Sequence, residues 1–367
     1  MTLKLENVSK VVTGETHIDD VTLECAPGSF NVLLGLTLAG KTTLMRLMAG
    51  LDRPTAGRVL VDGVDVTNVP VRRRNVAMVY QQFINYPSMT CYDNIASPLK
   101  LARLERAEID RRVRREAERL HIEHLLDRLP AELSGGQQQR LAMARSLVRD
   151  AELLLLDEPL VNLDYKLREE LRAEMREIFQ ERDAVVVYAT TDPLEALTLG
   201  GYTAVMHEGR LVQYGATPEV YHNPGSIGVS QVFSDPPMNL IDGHLEDGHL
   251  RLGADQPFAA PAHLRELAPG GYRIGVRPPH IHVTPPHGEA VALDGEVEVA
   301  EIAGSETFIH LRHGDSAWVA QREGVHRFDL GERINVYIDP AHLFAFDTGT
   351  GRLVAAPRRP SGTAENG

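Results

Sequence analysis

Gly35-Leu36-Thr37-Leu38-Ala39-Gly40-Lys41-Thr42, with Thr43 behind it, spells G-x-x-x-x-G-K-[ST], a spacing suited to gripping phosphate oxygens. The glycines let backbone N–H groups approach an anion, and the helix that follows adds positive potential. Lys41 can neutralise β and γ oxygens, and the Thr42 hydroxyl can ligate magnesium. Farther along, Leu153 to Leu156 leads into Asp157 and Glu158, an apolar strand delivering two carboxylates to the end where open α/β sheets bind nucleotides. Asp157 suits magnesium, held through water, and Glu158 suits polarising an attacking water. Acidic residues after a strand are often only helix caps, so this pair draws its meaning from the phosphate loop. A third stretch, Leu133-Ser134-Gly135-Gly136-Gln137-Gln138-Gln139-Arg140, makes a second phosphate-facing nest at a helix start. One chain already has its own loop, so a second nest suits a nucleotide held by another subunit.

The elements needed to position these groups are legible from periodicity. A short apolar strand, Phe30 to Gly35, enters the loop, and Leu44, Leu47, Met48 and Leu51 recur at helical spacing behind it. Buried-strand patterns at Leu153 to Leu156 and Val185 to Ala189 flank a helical stretch from Tyr165 to Arg182, as in a parallel sheet with crossover helices. Leu99 to Leu129 is rich in Arg, Glu and Leu, and no Pro or Gly interrupts it, which predicts a helical subdomain over about 84–150. Around Phe233 to Asn239 the sequence SDPPMN marks a break; beyond it alternating strands and Gly/Pro turns predict an all-β domain. The expected division is 1–235 and 236–357, with 358–367 a disordered tail.

Composition narrows the class. At 367 residues, 43% hydrophobic and 24% charged, the chain resembles a soluble globular protein of two domains. A net charge of -13 argues against nucleic acid as the main partner. Cys25 and Cys91 show no metal-ligand spacing and read as buried thiols of a reducing compartment. The amino terminus alternates like a strand and lacks the apolar core of a signal peptide. No apolar run approaches the roughly 18 residues needed to cross a bilayer, so membrane contact must pass through partner proteins. Arg72-Arg73-Arg74 reads as a solvated turn, His280 and His282 as surface histidines, and Glu105 to Arg119 as too short a repeat for a coiled coil.

These motifs, in this order, resemble the ATPase subunit of ATP-binding-cassette transporters, and the resemblance spans nearly the whole chain. It implies an α/β P-loop NTPase fold with a helical subdomain, using ATP and Mg2+. In that family two cassettes pair head to tail, so Ser134, Gly135, Gly136 and Gln137 would complete the partner's ATP site. The residues from Gly35 to Thr43 would bind this chain's own nucleotide; Thr42, Gln81 and Asp157 would hold magnesium, and Glu158, Gln81 and Thr191 would stand in catalytic positions. Asn162-Leu163-Asp164 matches the loop crossing the dimer interface, and the segment from Gln82 to Thr90 resembles the groove that receives a permease helix. Gly275-Val276-Arg277-Pro278, followed by His280-Ile281, looks like the OB-like, TOBE-type β domain of carbohydrate importers. The implied partners are a second ATPase subunit, two permease subunits and, indirectly, a solute-binding protein, at the cytoplasmic face of a bacterial inner membrane. In detail the phosphate loop and Tyr188-Ala189-Thr190-Thr191 are similar to an ATPase of glycerol importers.

Two departures from the family pattern bear on activity. Val11-Val12-Thr13-Gly14 supplies no aromatic residue to stack on adenine, which weakens the expected grip on the base. Position 191 is Thr where relatives carry a histidine that contacts the γ-phosphate; a hydroxyl donates a hydrogen bond but carries no proton charge at neutral pH. Val161, where relatives often have serine, removes a further polar group. Slower hydrolysis in this chain's own site, and a pair built from two different ATPases, are the expectations. A nucleotide-gated binding module with little hydrolysis is the competing reading. A non-transport cassette ATPase is disfavoured by the single phosphate loop and the lack of a long coiled-coil insert.

Overall fold

Strand Leu153–Asp157 shows why the first unit folds as it does. All five residues are buried; Leu154 and Leu156 enter one apolar cluster, while Leu153 and Leu155 enter another on the opposite face. Such a strand has no solvent side, so both faces of its sheet must be covered. In the computed structural model, which describes residues 1–82, 84–161, 165–180, 183–286 and 288–358, it lies inside a six-stranded sheet. The order is Arg210–Ala216, Tyr202–His207, Phe30–Leu34, Val185–Thr190, Leu153–Asp157, Val76–Val79. All neighbours run parallel except the edge pair Tyr202–His207 and Arg210–Ala216.

One face carries helix Lys41–Ala49, whose Leu44, Met45, Leu47 and Met48 are buried, together with residues of an antiparallel sheet of Glu15–Cys25, Leu3–Val12, Ala56–Val61 and Val64–Asp65. The other face carries helices Cys91–Leu101, Arg106–Arg119, Gly135–Leu147 and Tyr165–Gln180. The long Arg/Glu/Leu stretch is therefore helical but divided. Arg103 and His121 adopt positive φ (58° and 54°). Each turn closes through a six-to-one bond, Leu104 N–H to the Leu99 carbonyl (3.2 Å) and Ile122 N–H to the Ala117 carbonyl (2.9 Å). Non-glycine residues take the left-handed cap, so sequence offered no punctuation there.

The arginine turn is also less solvated than its charge predicts. Arg72 and Arg73 are exposed on a 3-10 turn, but Arg74 is half-buried. Its guanidinium donates to the carbonyls of Met48 (2.9 Å), Val69 (3.0 Å) and Val66, tying the end of the phosphate-loop helix to the preceding hairpin.

The chain divides into compact units between Thr217 and Pro218, ahead of the compositional break at 235/236. Helices that read as part of an α/β domain belong to the second unit. Ile227 N–H donates to the Gly351 carbonyl (2.9 Å) and Leu353 N–H to that of Gly225 (3.2 Å). Buried Arg277 donates to the carbonyls of Tyr221 (2.7 Å) and Phe233 (3.0 Å) and lies 3.9 Å over the Tyr221 ring. The rest of the unit is all-β, a six-stranded and a five-stranded antiparallel sheet around a core that includes Trp318. His280 ends a 3-10 turn and stacks on His342 (3.9 Å, 9°), while His282 is half-buried beside Arg322 (3.0 Å). Neither is the surface histidine that composition predicts, because two 3-10 turns, Pro278–His280 and Pro340–His342, present their rings to each other.

Candidate nucleotide site

Gly35 and Gly40 are glycines for different reasons. A Cβ on Gly35 would lie 2.5 Å from the Met206 carbonyl oxygen; Gly40 sits at φ 97° and caps helix Lys41–Ala49. Between them the loop curls so that buried Lys41 donates to the carbonyls of Gly35 (2.7 Å) and Leu36 (3.1 Å). Its Nζ also lies 3.3 Å from Glu158 Oε1. Thr42 Oγ1 donates to Asp157 Oδ1 at 3.0 Å, and Gln81 Nε2 donates to Glu158 Oε2 at 3.1 Å. Three parallel strands thus deliver loop, carboxylates and glutamine to one end of the sheet.

Burial lifts the Asp157 carboxyl above the usual range, with the Thr42 hydroxyl pulling the other way and the Glu158 charge adding to the rise. Glu158 has φ 44°, and its N–H donates to the Ala189 carbonyl (3.0 Å). Left-handed backbone in a non-glycine residue costs about 1–2 kcal/mol and here turns the carboxylate toward Lys41 and Gln81. Two adjacent carboxylates and a hydroxyl are hard oxygen donors, the set a magnesium ion favours, so these residues fit the metal their pattern implies.

The open cleft, about 580 Å³, is lined by Thr37 to Thr43, Gln81 and Glu158, and by residues no motif announced: Glu15, Thr16, His17, Glu208 and Gly209. Glu208 and Gly209, at φ 46° and 78°, form the tight turn of the edge hairpin. Gly209 N–H donates to the Ala39 carbonyl (3.1 Å), and a Cβ on Gly209 would meet the His17 carbonyl oxygen at 2.6 Å. The hairpin therefore braces the loop from the side. His17 is exposed and borders the cleft, where the turn near Val11 and Val12 offers no aromatic residue. Leu38 also lines it, at φ 69° and 94% exposed.

Ser134, Gly135, Gly136 and Gln137 are not among the residues lining this cleft. Ser134 caps helix Gly135–Leu147 in a reciprocal pair: its N–H donates to Gln137 Oε1 (3.0 Å) and its Oγ accepts from the Gln137 N–H (3.4 Å). Ser134 and Gly135 are exposed. Thr191 follows strand Val185–Thr190, half-buried and likewise absent from the lining. Asn162-Leu163-Asp164 and Phe83 lie outside the described residues. In the segment expected to meet a permease, Ile84, Tyr86 and Met89 are exposed. Fully buried Asn94 organises it, accepting from Tyr86 N–H (2.8 Å) and donating to the carbonyls of Tyr86, Met89 and Thr90 (3.0 Å each). A lone asparagine within a helix carries no sequence signal of that role.

Comparison with known proteins agrees with this geometry. A family model described as ABC transporter matches residues 18–161, and one described as TOBE domain matches 274–346. The trehalose/maltose import ATP-binding protein of Thermococcus litoralis is 38% identical over 370 residues, covering 96% of this chain and 99% of its own. The sn-glycerol-3-phosphate import ATP-binding protein of Psychromonas ingrahamii is 35% identical over 362 residues, covering 96% and 95%. Among solved structures, a dimeric ATP-binding cassette in a post-hydrolysis state with ADP and Pi matches with a TM-score of 0.54 and 27% identity, over 59% of this chain and 98% of that one. With its phosphate loop, paired carboxylates and Ser-Gly-Gly-Gln helix cap on one cassette and a β unit later in the sequence, the chain belongs to the ATP-binding-cassette family, as an ATP-hydrolysing importer subunit that carries a C-terminal TOBE domain.

Proposed function

We propose that this chain drives uptake of a small polyol or sugar, glycerol included, by magnesium-dependent ATP hydrolysis at the cytoplasmic face of a membrane. Its partners would be a second cassette subunit and two permease subunits, with a solute-binding protein acting through the permease. The solute class rests on the relatives, which are named for trehalose/maltose and for sn-glycerol-3-phosphate; glycerol itself rests only on the likeness of the phosphate loop and the Tyr188 to Thr191 segment.

The observation that carries the hydrolytic reading is the meeting of Lys41, Thr42, Asp157, Glu158 and Gln81 at one end of the sheet. Thr42, Asp157 and Gln81 would hold magnesium, which when bound would supply charge neutralisation to the phosphates. Loop N–H groups hold the phosphates, and Lys41 turns from its loop carbonyls to the terminal oxygens. Glu158, released from Lys41, accepts a proton from the attacking water, and Gln81 orients the carboxylate that does so. Thr191 donates a neutral hydrogen bond to the γ-phosphate where a histidine would donate a charged one. The partner's copy of the Ser134 to Gln137 cap closes the far side.

Replacing Glu158→Gln keeps shape and removes the base. Hydrolysis should fall by about a hundredfold or more while ATP binding survives. A variant that still turns over at the parent rate would remove Glu158 from this role.

The second reading is an unequal pair, in which a different cassette supplies the better-equipped site. Thr191 favours it, because the Ser134 to Gln137 segment given to the partner is intact while the chain's own γ-phosphate contact is weakened.

A further inference from the structure

Behind the cleft lies a set of buried polar side chains that none of the steps above employs. Tyr188, Thr190, Arg172 and Glu195 are each at most 4% exposed, yet all four carry polar or charged groups, which are costly to bury without partners; the Arg172 Nε is left without a hydrogen-bond partner, while the other groups have partners close by. Tyr188 Oη donates to Glu195 Oε2 at 2.9 Å. Arg172 Nη2 lies 4.0 Å from Glu195 Oε1 and 3.6 Å from Asp192 Oδ2, while its Nη1 meets Glu169 Oε1 at 2.8 Å. Asp192 N–H donates to Thr190 Oγ1 (3.0 Å), and Asp192 Oδ1 caps helix Pro193–Leu199 by accepting from Leu194 N–H (2.8 Å). Three elements converge: strand Val185–Thr190, helix Pro193–Leu199 and helix Tyr165–Gln180.

Residue 191 sits between two of these fixed groups, with Thr190 before it and Asp192 after it. The same strand end also holds the reacting residues from behind. The Ala189 carbonyl accepts from Glu158 N–H at 3.0 Å, and the Thr190 carbonyl accepts from Gly35 N–H at 3.4 Å. One strand terminus therefore sets the height of the Glu158 backbone, the start of the phosphate loop and the reach of Thr191 together.

We propose that Tyr188, Glu195 and Arg172 are positioning residues for ATP hydrolysis, forming a buried latch that fixes this strand terminus and, through it, Glu158 and Thr191. The proposal rests on the reading of Glu158 as the base that activates water. The latch does not touch nucleotide; it removes latitude from groups that do. Burial raises the Glu195 carboxyl above its ordinary range, with the Thr190 and Tyr188 hydroxyls and the Arg172 charge pulling it back. Its neighbours thus offset only part of the cost of burying it, and losing one of them loosens the set.

The test uses the full chain in its assembled transporter, with ATP turnover measured beside nucleotide affinity and thermal unfolding. Tyr188→Phe keeps the ring in the core and deletes only the hydroxyl. It should lower kcat about tenfold, as expected for a sub-ångström displacement of reacting groups, while KM for ATP stays within about twofold. Glu195→Gln should do the same, and the double variant should be little worse than either alone, because both cut one connection. If Glu195→Gln does not fold, Tyr188→Phe decides alone. An unchanged kcat in Tyr188→Phe overturns the latch, as does a loss of kcat that comes with an equal rise in KM and a matching fall in unfolding temperature. Glu158→Gln separates the two readings: a dead Glu158→Gln beside a fully active Tyr188→Phe removes the latch alone, and an active Glu158→Gln removes the base on which it rests.

Discussion

Leu38 holds a left-handed backbone and leaves its side chain 94% exposed, so neither local conformation nor burial explains a leucine there. Glycine would remove the steric cost of that φ, about 1–2 kcal/mol, against the smaller entropy it loses on folding. Leu38→Gly is accordingly expected to raise the stability of the isolated chain by about 0.5–1 kcal/mol, read by denaturant unfolding. A lower midpoint would mean that the side chain makes a stabilising contact within the chain itself. Among the residues lining the cleft, His17 is the one with a ring to offer a base, which the Val11 to Gly14 turn lacks. Base-on-aromatic stacking is worth about 1–3 kcal/mol, so His17→Ala should weaken ATP binding roughly fivefold or more in a titration with a non-hydrolysable analogue. Unchanged affinity would show that the base rests elsewhere.

At the scale of elements, the paired 3-10 turns of the second unit bring a pH dependence into the fold. Burial, aided by the neighbouring His342, Arg277 and His282, pushes His280 down to about 4 from 6.5. Between those values the unfolded chain takes up a proton that the folded chain refuses, so stability is full above pH 6.5 and drains away as pH falls toward 4. The loss is on the order of 2 kcal/mol after allowing for the ring's partial contact with solvent. Trp318, the chain's single tryptophan and fully buried in this unit, reports the transition by fluorescence. His280→Phe keeps a flat ring on His342 and should flatten the acid slope; an unaltered slope would assign it to other groups. This pair also marks where sequence stops informing. The phosphate loop and the carboxylates after Leu156 are contiguous in the chain and carry local geometry, so type and spacing reveal them. His280 and His342, His17 and Gly209, and Arg172 and Glu195 meet only through tertiary packing, and no periodicity encodes such meetings. The turns at Arg103 and His121 were hidden for a related reason, since residues other than glycine take the left-handed cap.

For the whole molecule, the open question is what completes the second half of each ATP site. The Ser134 cap lies outside the cleft lined by Lys41 and Glu158, so a nucleotide held here is contacted by such a cap only if another cassette supplies it. Two copies of this chain would give two identical sites, each with Thr191; a different partner would give one site with Thr191 and one with whatever that partner carries. Native mass of the complex retained by a tagged copy after mild detergent extraction distinguishes these. The expected composition is two different cassette subunits with two permease subunits. In that assembly Thr191→His should raise turnover roughly fivefold to tenfold, the difference between a neutral and a charge-assisted hydrogen bond to the γ-phosphate. Two copies of this chain, with no gain from Thr191→His, would make the threonine a full functional replacement for histidine. Recovery with no membrane partner at all would remove the transporter assembly itself, because the exposed Ile84, Tyr86 and Met89, held in place by Asn94, would then have nothing to receive.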